Sequence, residues 1–574
     1  MSNEQNGGRN DPAEKPVLES RRRFIRNSAL LGAVSAGAGL GAPAMLASPA
    51  AEASVAGAGA GALARALRAA DVRIDAARDR FAQTRALPPQ QTNGDDLRYA
   101  RENFYASFTK TLPHDDFGEV DPAAYRALLR AQRTGRPRDF DAIPLDPTAT
   151  RRLANPQGAL RFVYAGLDGH ATRMRPAPAF RSKEIAAEMG ELYWQALTRD
   201  IPFDQYGSHT LIGDAIEDLN AFSETVGPKV GGLVTADTLF RGPTPGDLTG
   251  PYISQFLWKD VPYGPSVIVQ RYEAPLAVDV MVNEHTWLNV QRGGTPLETL
   301  VFDPVPRYLH DNRSLGEYVH RDVLFQAYFN AALILLGMGA VDPKNPYFNG
   351  DIGNQGAFTS FGGPWVIDLV TQAGNLALNS AWYQKWLEHR RLRPEAYGGR
   401  VHFQLLGQRH YEIDLELLDS AGVSNALTRN LGNGFLPMAF AEGSPTHPAY
   451  PAGHATVAGA CVTTLKAYFD EDFVIPDPVV SDEGGFALLD LVGGPDLTVG
   501  GELNKLASNV AIGRNAAGVH YRSDGVDGLL VGEQQAIVLL QEYSAATNED
   551  FDGFSLTKFD GTPILIRDGR VFPA

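Results

Sequence analysis

"SPTHPAYPAGHATVAGACVTTLKAYF", residues 444–469, decides how the second half of this chain is read. Pro451 and Gly453 break the chain, and the residues from His454 to Phe469 are mostly small or apolar with no proline. That pattern predicts a helix opening near Gly453. A helix start leaves backbone N–H groups without partners at the positive end of the macrodipole, so it suits an anion. Two of the twelve histidines, His447 and His454, flank this start seven residues apart. Gly453 permits close backbone approach to a ligand, and a histidine beside an anion responds to its charge. Read alone, His454 serves equally well as a structural side chain.

Outward on the N-terminal side, "KWLEHRRLRPE" (385–395) ends a helical run that begins at "PWVIDLVTQAG" and is expected to stop at Pro394. Lys385 and Arg393 are eight residues apart in it. On one helix that is about 12 Å of rise, close enough for two long side chains to meet on one small anion. Alone, the segment reads more readily as a solvated basic last turn. On the C-terminal side, "GRNAAGVHYRSDG" (513–525) places Arg514 near a helix end with Gly518 as its stop. His520 lies in the connection to the next helix, with Arg522 and Asp524 just beyond. Several fixed cations, a helix N-terminus and imidazoles are together what a tetrahedral oxyanion requires.

The rest of the chain frames this half. The 574 residues are 44% hydrophobic and 21% charged, enough for a large core. A net charge of −16 argues against nucleic acid as a partner and requires any anion site to be locally cationic. The single cysteine, Cys461, excludes an intrachain disulfide and Cys-based zinc or iron–sulfur sites, and reads as core filler. Five helical segments are expected after residue 311: 314–340, 364–392, 453–469, 500–518 and 523–547, the last with Ser523 as N-cap. The tail from Leu556 to Phe572 reads as a small hairpin with Asp-Gly turns. Residues 54–310 are helical at first and then broken by Pro and Gly, with short runs such as "SVIVQRYEA" as candidate strands.

"SRRRFIR" at 20–26, an Ala/Gly-rich run to Leu46 and "AEA" at 51–53 have the layout of an export signal over residues 1–53. The paired arginines before Phe24 resemble a twin-arginine signal, which implies a periplasmic or secreted protein. No other segment approaches roughly 18 consecutive apolar residues, so no stable membrane insertion is expected.

The order Lys-x7-Arg-Pro, Pro-x-Gly-His, Arg-x5-His resembles the signature shared by vanadium-dependent haloperoxidases and the type 2 phosphatidic-acid-phosphatase superfamily. The Lys–Arg spacing, "HPAYPAGHAT" and "NVAIGRNAAGVHYRSDGVDGLLVGE" look like the bromoperoxidase branch. The resemblance implies a mainly α fold. A helical-bundle catalytic core would occupy residues 311–574, preceded by an elaborated region over 54–310 with a few short strands. It implies vanadate as cofactor, with hydrogen peroxide, halide and a small organic acceptor as substrates. By motif match His520 would be the vanadium ligand. Lys385, Arg393, Arg514 and the Gly453 amide would hold the vanadate oxygens, with Lys385 also polarising peroxide. His454 would be the acid–base residue, and His447 would tune peroxide or halide handling as its proton-handling partner. Asp322 would orient Arg514 or His447. The family often has Ser where this chain has Ala452, so one hydrogen-bond donor is missing. Relatives form homo-oligomers, and some hold a structural calcium. Two other readings use the same pocket: an acid phosphatase with His520 as nucleophile, and a non-catalytic exported anion-binding protein.

Overall fold

A helix rich in small residues lies at the centre. The segment Gly453–Tyr468 is buried along nearly its whole length, and its Ala, Gly and Thr residues let neighbours approach closely. A Cβ at Gly459 would sit 2.1 Å from the backbone oxygen of Leu529, and one at Gly532 would sit 2.1 Å from that of Thr456. The two helices therefore meet backbone to backbone, and glycine is required at both positions. Cys461 is buried in the same helix with its thiol at 3.4 Å from the Val370 carbonyl, as core filler.

The computed structural model describes residues 49–225 and 227–574. It divides between Asp71 and Val72, and Val72–Ala574 form one compact unit. The expected boundary near residue 310 falls inside that unit. Residues 1–48 of the expected export signal lie outside the described residues.

In chain order the elements used below are α1 (Pro49–Ala86), α2 (Lys183–Thr198), α3 (Asn312–Arg321), α4 (Gln326–Met338), α5 (Gly363–Tyr383), α6 (Pro394–Leu405), α7 (Gly453–Tyr468), α8 (Val499–Ala516) and α9 (Arg522–Ala546). α5, α8 and α9 surround α7, and α3 packs on α8. Among the described residues seven short strands form three antiparallel sheets: β1 (Val261–Tyr263) with β2 (Ser266–Ile268), β3 (Val479–Ser481) with β4 (Leu488–Asp490), and β5 (Phe554–Thr557), β6 (Pro563–Arg567) and β7 (Arg570–Pro573). The mainly α class is as expected. The segment before residue 310 is woven into the helices: Phe108 N–H donates to the Arg390 carbonyl at 2.8 Å, and Trp287 Nε1 to that of Glu395 at 2.9 Å.

Four local expectations are corrected. The run 314–340 is two helices, because Asp322 leaves α3 in an extended conformation (φ −62°, ψ 146°) and its carboxylate turns to His454. The run 364–392 ends before Pro394. After Tyr383 the chain forms a π-helical turn, Gln384–His389, and Arg390 closes it in the left-handed region at φ 42°. Pro394 instead opens α6, where its missing N–H costs nothing. Ser523 is not a cap. Tyr521 holds that position in α9, and the Ser523 N–H donates to Glu188 Oε1 at 2.5 Å. The tail is a three-stranded sheet, because Asp568–Gly569 add a second turn and a third strand, β7, after the expected pair.

Candidate active site

Lys385 and Arg393 thus sit on separate elements, the π turn after α5 and the residue preceding α6. Lys385 Nζ donates to the carbonyls of Pro448 at 2.8 Å and Ala449 at 2.7 Å, which uses two of its three N–H groups. Arg393 Nε donates to the His447 carbonyl at 2.9 Å and Nη1 to that of Val519 at 2.7 Å. Arg393 therefore clamps the segments before α7 and α9 together. Its Nη1 also lies 2.9 Å from His520 Nε2, and Nη2 lies 3.0 Å from His447 Nδ1. A guanidinium only donates, so His520 Nε2 accepts; His447 Nδ1 also lies 3.1 Å from the Pro448 carbonyl, so it either accepts from Arg393 or donates to Pro448.

His520 is fixed from its other side. Its Nδ1 lies 2.8 Å from Asp524 Oδ2, so the proton is on Nδ1 and Nε2 keeps its lone pair toward the cations. Asp524 is buried and also accepts from Arg391 Nη1 at 2.6 Å, while Arg391 Nη2 reaches Glu188 on α2 at 2.8 Å. A carboxylate with a fixed partner holding an imidazole is how proteins orient a metal-binding histidine.

α7 opens without any capping side chain, since Ala452 stands at the N-cap. Its first N–H groups are left for a ligand. His454, in the first turn, places Nε2 at 3.1 Å from Asp322 Oδ1. That contact assigns the proton to Nε2 and leaves Nδ1 as a free base. Asp322 thus serves His454 and hydrogen-bonds neither Arg514 nor His447. His447 packs its ring 4.7 Å from Trp382 and leans on Arg393, and no hydrogen bond joins it to His454 among the described residues. Arg514, at the end of α8, donates Nη1 to the Val319 carbonyl at 2.6 Å and lies 5.6 Å from the Phe440 ring, while its buried Nε has no partner.

The seven predicted residues therefore converge at the junction of α5, α6, α7, α8 and α9. Burial, and then the other cations, push Lys385 well below its ordinary value. Arg393 is brought down to about 9 and Arg514 to about 10, with burial the leading cause in each. Burial followed by nearby arginine or lysine also holds His447, His454 and His520 below the imidazole range. This is the field of a site with excess positive charge and neutral imidazoles, which an oxyanion would relieve. The site opens at His454, whose side chain is 22% exposed against 2% for His520. A 270 Å³ cavity is lined by Asp322 and by none of the seven residues. Another cavity, of 380 Å³ around Phe203, Tyr252 and His310, is near the opposite end of α3 and touches none of these residues. Among the described residues no group of three or more His, Cys, Asp or Glu is placed to hold a metal ion, so the expected structural calcium gains no ligand set of that kind.

Sequence reasoning missed the supporting shell. Asp524, four residues after His520, was the part within reach, because that spacing puts a carboxylate one turn away. The Arg391–Glu188 pair, the Lys110–Glu395 pair at 2.6 Å that holds the Ser444 backbone, and the His320 ring stacked 3.7 Å from Phe440 join residues too distant in sequence to be read.

The family model described as the VCPO second helical-bundle domain matches residues 369–549, which include all seven predicted residues. The chain is 37% identical to a vanadium-dependent bromoperoxidase of Corallina pilulifera, over 88% of this chain and 98% of that one. It is 38% identical to a vanadium-dependent bromoperoxidase of Ascophyllum nodosum, over 81% and 87%. The solved homohexameric second vanadate-dependent bromoperoxidase of Ascophyllum nodosum superposes with a TM-score of 0.82 at 32% identity, over 89% of this chain and 91% of that one. Similarity of this degree covers 81–89% of the chain, and on that ground the chain belongs to the vanadium-dependent bromoperoxidase family.

Proposed function

We propose that this protein is a vanadate-dependent haloperoxidase that uses hydrogen peroxide to oxidise bromide or iodide to hypohalous acid equivalents, which halogenate organic acceptors; chloride is the hardest halide and the test includes it. One observation carries the reading: three buried cations and an uncapped helix N-terminus surround a histidine whose Nε2 carries no proton and turns its lone pair toward Arg393. The residues fit vanadate. The unpartnered Arg514 Nε, the remaining Lys385 N–H and the Gly453 amide are donors awaiting acceptors, and His520 Nε2 offers the single nitrogen ligand.

When bound, vanadate supplies a Lewis-acidic centre that activates peroxide without a change of its own oxidation state. The chain's residues do the rest. Lys385, Arg393 and Arg514 neutralise oxyanion charge in a water-poor pocket, where fixed donors need no reorganisation. Asp524 keeps the His520 proton on Nδ1. His454 takes a proton from hydrogen peroxide at Nδ1, and Asp322 steadies the charge that develops by accepting from Nε2–H. His447, hydrogen-bonded to Arg393, tunes the field at the same cluster.

Twin-arginine export to the periplasm or beyond is part of the proposal, on the strength of "SRRRFIR". Replacing Arg21 and Arg22 by Lys together should retain the precursor in the cell, and normal export would refute this. Homo-oligomerisation is proposed from the hexameric relative, and light scattering tests it. Among the described residues no helix is long and apolar enough to cross a membrane. The activity test is titration of vanadate into metal-free protein with peroxide and bromide, iodide or chloride, following a phenolic dye. Hydrolysis of p-nitrophenyl phosphate without halide oxidation would favour the phosphatase reading instead.

A further inference from the structure

We propose that His320 is a positioning residue for Arg514: as an imidazolium it ties the end of α3 to residues 440–442, and so fixes the guanidinium that is to hold a vanadate oxygen. The proposal rests on the haloperoxidase reading above.

The charge on His320 follows from its neighbours. Nδ1 lies 3.1 Å from Glu317 Oε2, and Nε2 lies 2.7 Å from Glu442 Oε1. A carboxylate only accepts, so both ring nitrogens carry a proton and the ring is cationic. Phe440 agrees with this. Its ring stacks on that of His320 with centroids 3.7 Å apart and planes 12° from parallel. Two neutral rings avoid a face-to-face stack because their negative faces repel, whereas a cation is drawn to a ring face. Burial opposes the charge, but the hydrogen bonds to Glu317 and Glu442 hold the imidazole up at about 9.

The imidazolium joins two elements. Glu317 and His320 belong to α3, and Glu442 lies two residues beyond Phe440. Among the described residues, the His320–Glu442 contact is the one hydrogen bond between α3 and residues 439–446. The other bonds to the Glu442 backbone come from elsewhere in the chain: its carbonyl accepts from Lys110 Nζ at 3.1 Å and from Arg151 Nη1 at 2.8 Å. Arg321 Nε, 3.8 Å from Glu317 Oε1, completes the charged groups around the imidazolium.

Arg514 depends on both of the elements that His320 joins. Its Nη1 donates to the carbonyl of Val319, the residue before His320, at 2.6 Å. Its central carbon lies 5.6 Å from the Phe440 ring centroid. His320 is therefore linked to one support through the backbone and stacked on the other. Arg514 is buried and makes no ion pair among the described residues, so these two supports, and no carboxylate, set its direction. A guanidinium held in this way keeps its charge for an oxyanion. Without the imidazolium, residues 440–442 lose their bond to α3 and the two supports can move apart.

The test is vanadate binding by the full chain. Vanadate-free parent, His320→Phe, Arg514→Lys and the double variant are equilibrated with vanadate near neutral pH without phosphate, and bound vanadium is measured by elemental analysis after dialysis. His320→Phe keeps a ring against Phe440 but loses the charge and both hydrogen bonds. It is expected to bind vanadate about tenfold more weakly than the parent, or weaker still, as for other groups that support a metal site from behind. A lysine cannot rest on Val319 and Phe440 as a guanidinium does, so the double variant should bind within about twofold of Arg514→Lys. A general loss of structure or of positive field would instead weaken binding as much in the Arg514→Lys background as in the parent. That result, or parent-like binding by His320→Phe, would overturn the proposal. If His320→Phe does not fold, His320→Gln, which lacks both the stacked ring and the charge, is judged by the same two comparisons. Absence of vanadate binding by the parent would remove the haloperoxidase reading together with the proposal; binding by the parent with no coupling between His320 and Arg514 removes the positioning role alone.

Discussion

Asp524 Oδ2 receives the His520 Nδ1 proton at 2.8 Å, and this contact decides which nitrogen of His520 faces the three cations. Asp524→Asn keeps the shape but removes the charge that fixes the tautomer and pairs with Arg391. Vanadate affinity is expected to fall about 10- to 100-fold, by analogy with other groups that orient metal-bound histidines. His520→Ala should abolish bound vanadium altogether. Elemental analysis after vanadate loading and dialysis checks both, and stoichiometric vanadium in His520→Ala would refute the ligand assignment.

His454→Ala is expected to bind vanadate with little change and to turn over about 10²- to 10⁴-fold more slowly, the range for loss of a positioned acid–base group. Burial, then Arg514, holds the His454 pKa down, while Asp322 pulls it up. Turnover of the parent should therefore fall on an acid limb as His454 takes up a proton. Asp322→Asn removes the upward pull, so the limb should move to lower pH. A pH profile of turnover at saturating peroxide shows it, and a shift to higher pH would contradict the pairing.

His320 gives the fold a pH dependence of its own. Burial opposes its charge, but hydrogen bonds to Glu317 and Glu442 outweigh that and raise it from 6.5 to about 9. A raised pKa stabilises the folded state fully below pH 6.5, and that contribution is lost as pH climbs through 9. The loss should be on the order of 1–3 kcal/mol, at 1.36 kcal/mol per pKa unit with allowance for partial exposure. Urea unfolding at several pH values between these limits measures it. His320→Gln should flatten the slope there, and an unchanged slope would place the effect elsewhere.

Ala452→Ser should tighten vanadate. A hydroxyl donating to an ionised oxygen is worth roughly 1.5–3 kcal/mol, on the order of 10- to 100-fold in affinity. Ala452 stands at the N-cap of α7, where the hydroxyl could instead accept from that helix's own amides. The competing outcome is a gain of about 1 kcal/mol in stability with unchanged affinity. Vanadate titration together with the Tm of the metal-free variant tells them apart.

The sequence by itself determined the catalytic half. All seven predicted residues meet, because each sits in a short motif at a helix end, where caps, breakers and periodicity act within a few residues. α7, α8, the stop at Gly518 and the β5–β6 turn were legible for the same reason. Even there, local signals misplaced Pro394. A proline ends one helix or opens the next with equal ease, and the π turn closed by Arg390 settled which.

Tertiary structure alone decided what orients those residues. Asp322 lies 132 positions from His454, and Glu188 lies 203 from Arg391. No pattern within one segment signals a bond over that distance. Such pairs form because charges carried into the core must find partners there, and the partner is whichever group the packing of α2 and α3 on α8 and of α9 on α7 brings within reach.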